Sequence, residues 1–276
     1  MNNAGIAFIG GGNMAASLIA GLIADGHAPR GLWVAEPDAV RREGLRERFG
    51  VQVVADNRDA IAHAETLVLC VKPQLAPGVC REIGDLAAGL GLLVISIMAG
   101  VPESGIQRWL GAPLPVVRAM PNTPAMVQTG AIALHASPQV TEEGRNRAET
   151  ILRAAGLVRW VEEEAQIDAV TALSGSGPAY FFLFMEAMEE AGAALGLDAE
   201  TARLLTIQTA LGAARMAVES ESEPARLRAQ VTSPGGTTER ALAVFEEAGL
   251  RGVVARALSA ARDRAAEISR TLSEQP

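Results

Sequence analysis

The feature that most constrains this chain is a series of six short apolar segments, spaced by helical sequence, across its first 120 residues. They are GIAFIG (5–10), LWVAEP (32–37), VQVVAD (51–56), TLVLCVKP (66–73), LLVISIMAG (92–100) and PVVRAMP (115–121). Segments this apolar need cover on both faces, and the helices between them supply it. An α/β architecture with a parallel sheet follows. GAIALHA (130–136) and LVRWVEE (157–163) extend that sheet, with a helix near EEGRNRAETILRAAG between them. From about Glu163 the strand signals stop. GPAYFFLFMEAMEEAGAALGL (177–197) and DAETARLLTIQTALGAARMAVES (198–220) read as long helices, with Pro178 in the first turn of one and Asp198 capping the other. Both are too apolar for lone surface helices and rich in small residues, so they pack either within one chain or, the reading favoured here, as an intersubunit core.

The first turn carries a ligand signal. In FIGGGNMA, Gly10-x-Gly12-x-x-Ala15 follows a strand directly and opens a helix. Glycines there let the backbone approach a pyrophosphate, and the helix N-terminus offers free N–H groups with partial positive charge. A small third residue keeps helix and strand close. Dinucleotide binding is therefore expected, with Gly10 and Gly12 against the pyrophosphate. Glu36 ends the second strand, where an acid can bond the adenine ribose and favour NADH. It could also cap the next helix, and Arg41 and Arg42 could meet a 2′-phosphate, so NADPH stays open.

Further segments end at the same kind of place. CVKPQ closes the fourth strand and SIMAG the fifth, while RAMPNTP closes the sixth with Asn122 and Thr123 between two prolines. ALSGSGPAY (172–180) places Ser174, Gly175, Ser176 and Gly177 ahead of the first long helix, either as a cap or as a loop that lets a ligand near the backbone. VTSPGGTTER (231–240) breaks the helical region and leads into ERALAVFEEAG, a helix start able to hold a carboxylate. It is equally able to form a plain helix corner.

Composition narrows the partners. Net charge is −8 and pI near 5.1, so no basic field attracts nucleic acid or an acidic membrane. The N-terminus lacks the charged region of a signal peptide, and no apolar run reaches the roughly 18 residues of a membrane span. A cytoplasmic location is expected. Cys70 and Cys80 suit buried small hydrophobes rather than a disulfide. His27, His63 and His135 show no ligand spacing, and no metal site is expected. Lys72 is the only lysine beside 23 arginines, a hint that a guanidinium does not fit there.

In this order, FIGGGNMA, VKP, MPNTP, ALSGSGPAY and VTSPGGTT resemble the pyrroline-5-carboxylate reductase family over nearly the whole chain. The resemblance implies a Rossmann-type domain over 1–163 and an all-α substrate-binding and dimerisation domain over 164–276. It implies a homodimer with interleaved helical domains, able to assemble into a decamer, and an active site where one subunit's cofactor domain meets the partner's helices. It implies reduction of the cyclic imine 1-pyrroline-5-carboxylate to L-proline by NADH or NADPH. The resemblance makes Gly10 to Met14, Asn13 among them, the pyrophosphate loop; Asn57 matches a position near the adenosine, and Val71, Lys72, Pro73, Ala99, Gly100 and Ser176 are assigned to the cofactor. Ser233, Gly236 and Thr237 would take the substrate carboxylate, and Thr238 would reach the ring nitrogen as the catalytic hydroxyl. Glu221 is assigned to substrate, and Glu164 also occupies a matching position. Met98 stands where the family has alanine and is expected to narrow the cofactor cleft, and Gln230 replaces an asparagine. A hydroxyacid or imine reductase of similar plan uses a lysine on the helical domain, whereas Lys72 lies on the other. A silent nucleotide-binding scaffold would not need VTSPGGTT.

Overall fold

The computed structural model describes residues 5–273. Its order is β1 (Ile6–Ile9), α1 (Asn13–Ala24), β2 (Leu32–Ala35), α2 (Ala39–Phe49), β3 (Gln52–Val54), α3 (Asn57–Ile61), β4 (Thr66–Leu69), α4 (Ala76–Leu90), β5 (Leu93–Ser96), α5 (Glu103–Leu110) and β6 (Val116–Met120). Next come β7 (Gly130–Ala136), α6 (Glu142–Arg153), β8 (Gly156–Trp160) and α7 (Gln166–Val170). A π-helical turn at Thr171–Gly175 runs on to α8 (Gly177–Ala194), α9 (Ala199–Glu219), α10 (Pro224–Gln230), α11 (Thr237–Glu247) and α12 (Leu250–Ser273). The chain separates into two compact units, one reaching Ser176 and resuming at Ala260, the other spanning Gly177–Ser259.

The first unit holds one eight-stranded sheet in the order β3-β2-β1-β4-β5-β6-β7-β8. Alternation along each strand feeds two cores. Ile6 and Phe8 of β1 join Leu18, Ile19 and Leu22 of α1 and Leu152 of α6 on one face. Ala7 and Ile9 join Ile61 of α3, Ile83 of α4 and Ile106 of α5 on the other. This is the two-sided cover that apolar strands require.

The sheet is parallel through β6 only. β7 pairs antiparallel with β6, and β8 pairs parallel with β7, so the last two strands run against the first six. The first six strands form the parallel sheet expected of them, and the direction of the two added strands is not set by their apolar pattern. The cause is the connection: residues 121–129 hold only a short 3₁₀ segment, Thr123–Val127. A parallel return needs a crossover of roughly a dozen residues or more. α6 supplies such a crossover between β7 and β8, which are parallel.

In the second unit, Asp198 caps α9 by accepting from the Thr201 N–H at 2.9 Å. α10 ends at Gln230 and α11 starts at Thr237, so the break lies where VTSPGG places it. Among the described residues no helix is long and apolar enough to cross a membrane.

Candidate active site

β1 delivers the chain into the glycine turn. Gly10 has φ +98°, and a Cβ there would stand 2.9 Å from the Cys70 carbonyl oxygen, so both conformation and space require glycine. Gly12 is the extended N-cap of α1, and no side chain caps that helix. A Cβ on Gly12 would meet nothing within 4 Å, so the uncapped start faces open space. Asn13 and Met14 form the first turn, and Ala15 is fully buried against the sheet. Free N–H groups, a helix dipole and room for a bulky anion fit a pyrophosphate.

Glu36 is buried beside this turn. Its Oε2 accepts from the Gly11 N–H at 2.9 Å and from Arg41 Nη1 at 3.2 Å, and its Oε1 from the Asp38 N–H at 3.1 Å. Asp38, not Glu36, caps α2, accepting from the Arg41 N–H at 2.8 Å. Arg42 donates to the carbonyls of Glu36 and Pro37. The acid therefore ties the end of β2 to the glycine turn, with its charge met by Arg41 and two N–H groups.

The other strand ends lie in the same unit. Asn57 opens α3 and donates to Glu82 Oε2 at 3.0 Å. Val71, Lys72 and Pro73 follow β4, with Lys72 exposed. After β5, Ala99 is exposed, while Gly100 has φ +74° and a Cβ there would come within 2.8 Å of Ile268. Because β1 to β6 run parallel, these segments line one edge of the sheet, the edge where open sheets bind ligands. Met98 departs from expectation. It is 2% exposed and packs in the core with Val101 and Leu272, so its side chain does not narrow the cleft.

The serine–glycine segment is not a loose loop. α7 continues into the π-helical turn, with the Ser176 N–H on the Thr171 carbonyl at 2.8 Å. π-turns within helices frequently mark functional sites. Asn122 fixes it from the turn after β6: its Nδ2 donates to the Ser174 carbonyl at 3.0 Å, and its Oδ1 accepts from the Ala131 N–H at 2.9 Å. Asn122 is itself buried.

The second unit holds the remaining candidates. Gly235 has φ +72° and Gly236 is the N-cap of α11, again with no side-chain cap. The Gly236 N–H is used by the Ser233 carbonyl at 3.0 Å, and the Gly235 N–H by the Glu239 carboxylate at 2.8 Å. The first N–H groups of α11, from Thr237 on, lack an intrahelical partner, and Ser233, Thr237 and Thr238 are exposed beside them. Glu221 is exposed in the link between α9 and α10. The site residues thus fall into two groups, one per unit.

A reductase from Pseudomonas aeruginosa, pyrroline-5-carboxylate reductase, is 50% identical over 99% of this chain and all of its own length. This chain belongs to the pyrroline-5-carboxylate reductase family. The family profile for pyrroline-5-carboxylate reductase dimerisation matches residues 164–268, and one described as NADP oxidoreductase, coenzyme F420-dependent, matches residues 5–100. The solved pyrroline-5-carboxylate reductase of Coxiella burnetii superposes with a TM-score of 0.94 at 49% identity, covering 97% of this chain and 99% of its own. That of Plasmodium falciparum, with NADP bound, reaches 0.84 at 27% identity, covering 98% and 99%.

This member of the reductase family also carries a buried polar cluster that no local motif announces. His135 Nδ1 lies 2.6 Å from Glu103 Oε1, so one proton sits between them. Burial pushes the Glu103 carboxyl above its usual range, with the His135 hydrogen bond pulling the other way. Arg118 of β6, 3% exposed, reaches Glu164 Oε1 at 3.1 Å and stands 3.8 Å from Asp168. His135 and Arg118 are register partners across β7 and β6. The residues meet over separations of 32 to 61 positions, which sequence spacing does not encode. Among the described residues, both cysteines are free thiols. Burial raises their pKa values, that of Cys80 to about 12, so neither is a ready nucleophile.

Proposed function

We propose that this chain reduces 1-pyrroline-5-carboxylate to L-proline, using NADH or NADPH. The observation that carries the reading is the uncapped start of α11, where unpaired N–H groups stand among exposed hydroxyls. A small imine with one carboxylate needs an anion site and a hydrogen-bond partner for its nitrogen, and no stronger acid or base.

Each residue then has a task. Gly10, Gly12, Asn13 and Met14 hold the pyrophosphate, Glu36 and Asn57 the adenosine, and Val71, Lys72, Pro73, Ala99, Gly100 and Ser176 the remainder of the cofactor. When bound, a reduced nicotinamide supplies the hydride. Ser233, Gly236 and Thr237 orient the substrate carboxylate, with Glu221 at the substrate's edge. The Thr238 hydroxyl holds the ring nitrogen and relays a proton from water.

The protein acts in the cytoplasm as a homodimer built on the helical domain from residue 164, where the dimerisation profile begins, with a decamer of such dimers as the alternative assembly. The test is oxidation of NADH and of NADPH with pyrroline-5-carboxylate, with hydroxyacids, and with no added substrate. Turnover with the imine alone supports the reading. Turnover with a hydroxyacid, or none, rejects it.

A further inference from the structure

α5 starts without a cap of its own. Its N-cap is Pro102, whose side chain accepts nothing, and its first N–H, that of Glu103, is met from 61 residues away. Glu164 Oε1 accepts that N–H at 2.8 Å. The same oxygen takes Nη1 of Arg118 at 3.1 Å. The residues leading into α5 are Ala99 to Pro102, and the first two of them, Ala99 and Gly100, are assigned above to the cofactor. One end of that segment is set by β5 and the other by the carboxylate of Glu164.

Arg118 is poorly served apart from this contact. Its Nε and Nη2 have no hydrogen-bond partner, although both are buried. A buried guanidinium with a single good acceptor is a costly choice for stability alone. Glu164 sits between β8 and α7, and α7 runs into the π-turn that ends beside Ser176. Its carboxylate therefore joins the β5–α5 segment, β6 and the approach to Ser176, three of the pieces that line the proposed cofactor edge.

We infer that Glu164 is a positioning residue for cofactor binding, holding the Ala99–Pro102 segment through the first N–H of α5, with Arg118 as its counter-ion. This rests on the assignment of Ala99, Gly100 and Ser176 to the cofactor. The groups facing Glu164 from the elements around it are Arg118 of β6, Glu103 of α5, His135 of β7 and Asp168 of α7, the last reached by the Ser269 hydroxyl of α12 at 3.4 Å.

The experiment titrates NADH and NADPH into wild type, Glu164→Ala and Glu164→Gln by nicotinamide fluorescence, with kcat, KM and Tm measured alongside. Losing a hydrogen bond to a charged acceptor here raises cofactor Kd and KM about tenfold in Glu164→Ala, with kcat within about twofold. Glu164→Gln keeps an amide oxygen for the Glu103 N–H and recovers to within about threefold of wild type. A Glu164→Ala variant with lower Tm but unchanged cofactor Kd overturns the inference, as does a Gln variant no better than Ala. If Glu164→Ala does not fold, Glu164→Asp replaces it, one methylene too short to meet Glu103 and Arg118 together. Weakened cofactor binding in Glu164→Asp supports the inference, and wild-type affinity overturns it. Wild-type protein that binds neither nucleotide refutes the cofactor assignment itself, and the inference falls with it.

Discussion

Thr238 is the residue on which the proposed chemistry turns. It stands exposed in the first turn of α11. Removing one hydrogen bond of the kind proposed for its hydroxyl costs about 1–3 kcal/mol. Thr238→Ala should therefore lower kcat/KM for the imine by about 10–100-fold. Steady-state kinetics at fixed cofactor reads this directly, and wild-type activity would take Thr238 out of the mechanism. Gly10 makes a second prediction at the same scale. Its φ of +98° and the 2.9 Å approach of a Cβ to the Cys70 carbonyl leave no room for a side chain. Gly10→Ala should weaken NADH binding at least about tenfold and lower the Tm, because the turn must open to admit the methyl. Titration with NADH and thermal melts check it; unchanged affinity would show that the turn does not hold the cofactor.

Among the elements, α11 and the α3–α4 pair make separate claims. If the start of α11 holds a carboxylate, 1-pyrroline without that group should show a KM raised about tenfold or more, and equal turnover of both imines would reject the anion site. In the cofactor unit, Arg58 of α3 grips Asp85 of α4 with both terminal guanidinium nitrogens, at 2.6 and 3.0 Å. That hydrogen bond holds the Asp85 carboxyl at about 2, below its usual 3.8. The unfolded chain thus binds the proton more readily than the folded one. The pair's contribution is complete above about pH 3.8 and is lost as pH falls toward about 2. Both side chains are exposed, so the effect is small. Acid unfolding followed by circular dichroism should be shallower in Asp85→Asn than in wild type across that window, and superimposable curves would remove the pair from acid stability.

Elements also show what the sequence makes legible. The glycine turn, the cap Asp198 and the break at VTSPGGTT are local: a few adjacent residues set each conformation, so spacing reveals them. The reversal at β7 was readable in principle, because residues 121–129 are too few for a crossover, but apolar strand segments look alike in either direction. The contacts of Glu36 with Gly11, Asn122 with Ser174 and Glu164 with Glu103 were beyond reach, since each joins elements distant in sequence. Residue type announces that such side chains need partners, not which partners they find.

For the whole molecule, the helical unit makes little sense alone. Phe181, Phe182 and Leu183 of α8, and Leu204, Leu205 and Leu211 of α9, are each more than half exposed in a single chain. Scattered apolar residues on a surface are ordinary, but a run of this size on two adjoining helices is rare on stable monomers. These helices lie within the residues matched by the dimerisation profile of the family. Leu204 and Leu211 are seven positions apart on α9 and so share a face. A symmetric dimer buries both leucines of each subunit, four side chains already nearly half covered, which contributes about 3–7 kcal/mol, or about two to five orders of magnitude in the dimer Kd. Replacing both by glutamate removes that gain and adds the cost of burying the introduced carboxylates. Leu204→Glu with Leu211→Glu should therefore sediment as a monomer at micromolar concentration where wild type is dimeric or larger. The nucleotide groups lie in the other unit, so NADH titration of the same variant separates lost assembly from general unfolding. A double variant that still binds NADH and keeps the wild-type sedimentation coefficient would show that this face of α9 is not part of the interface.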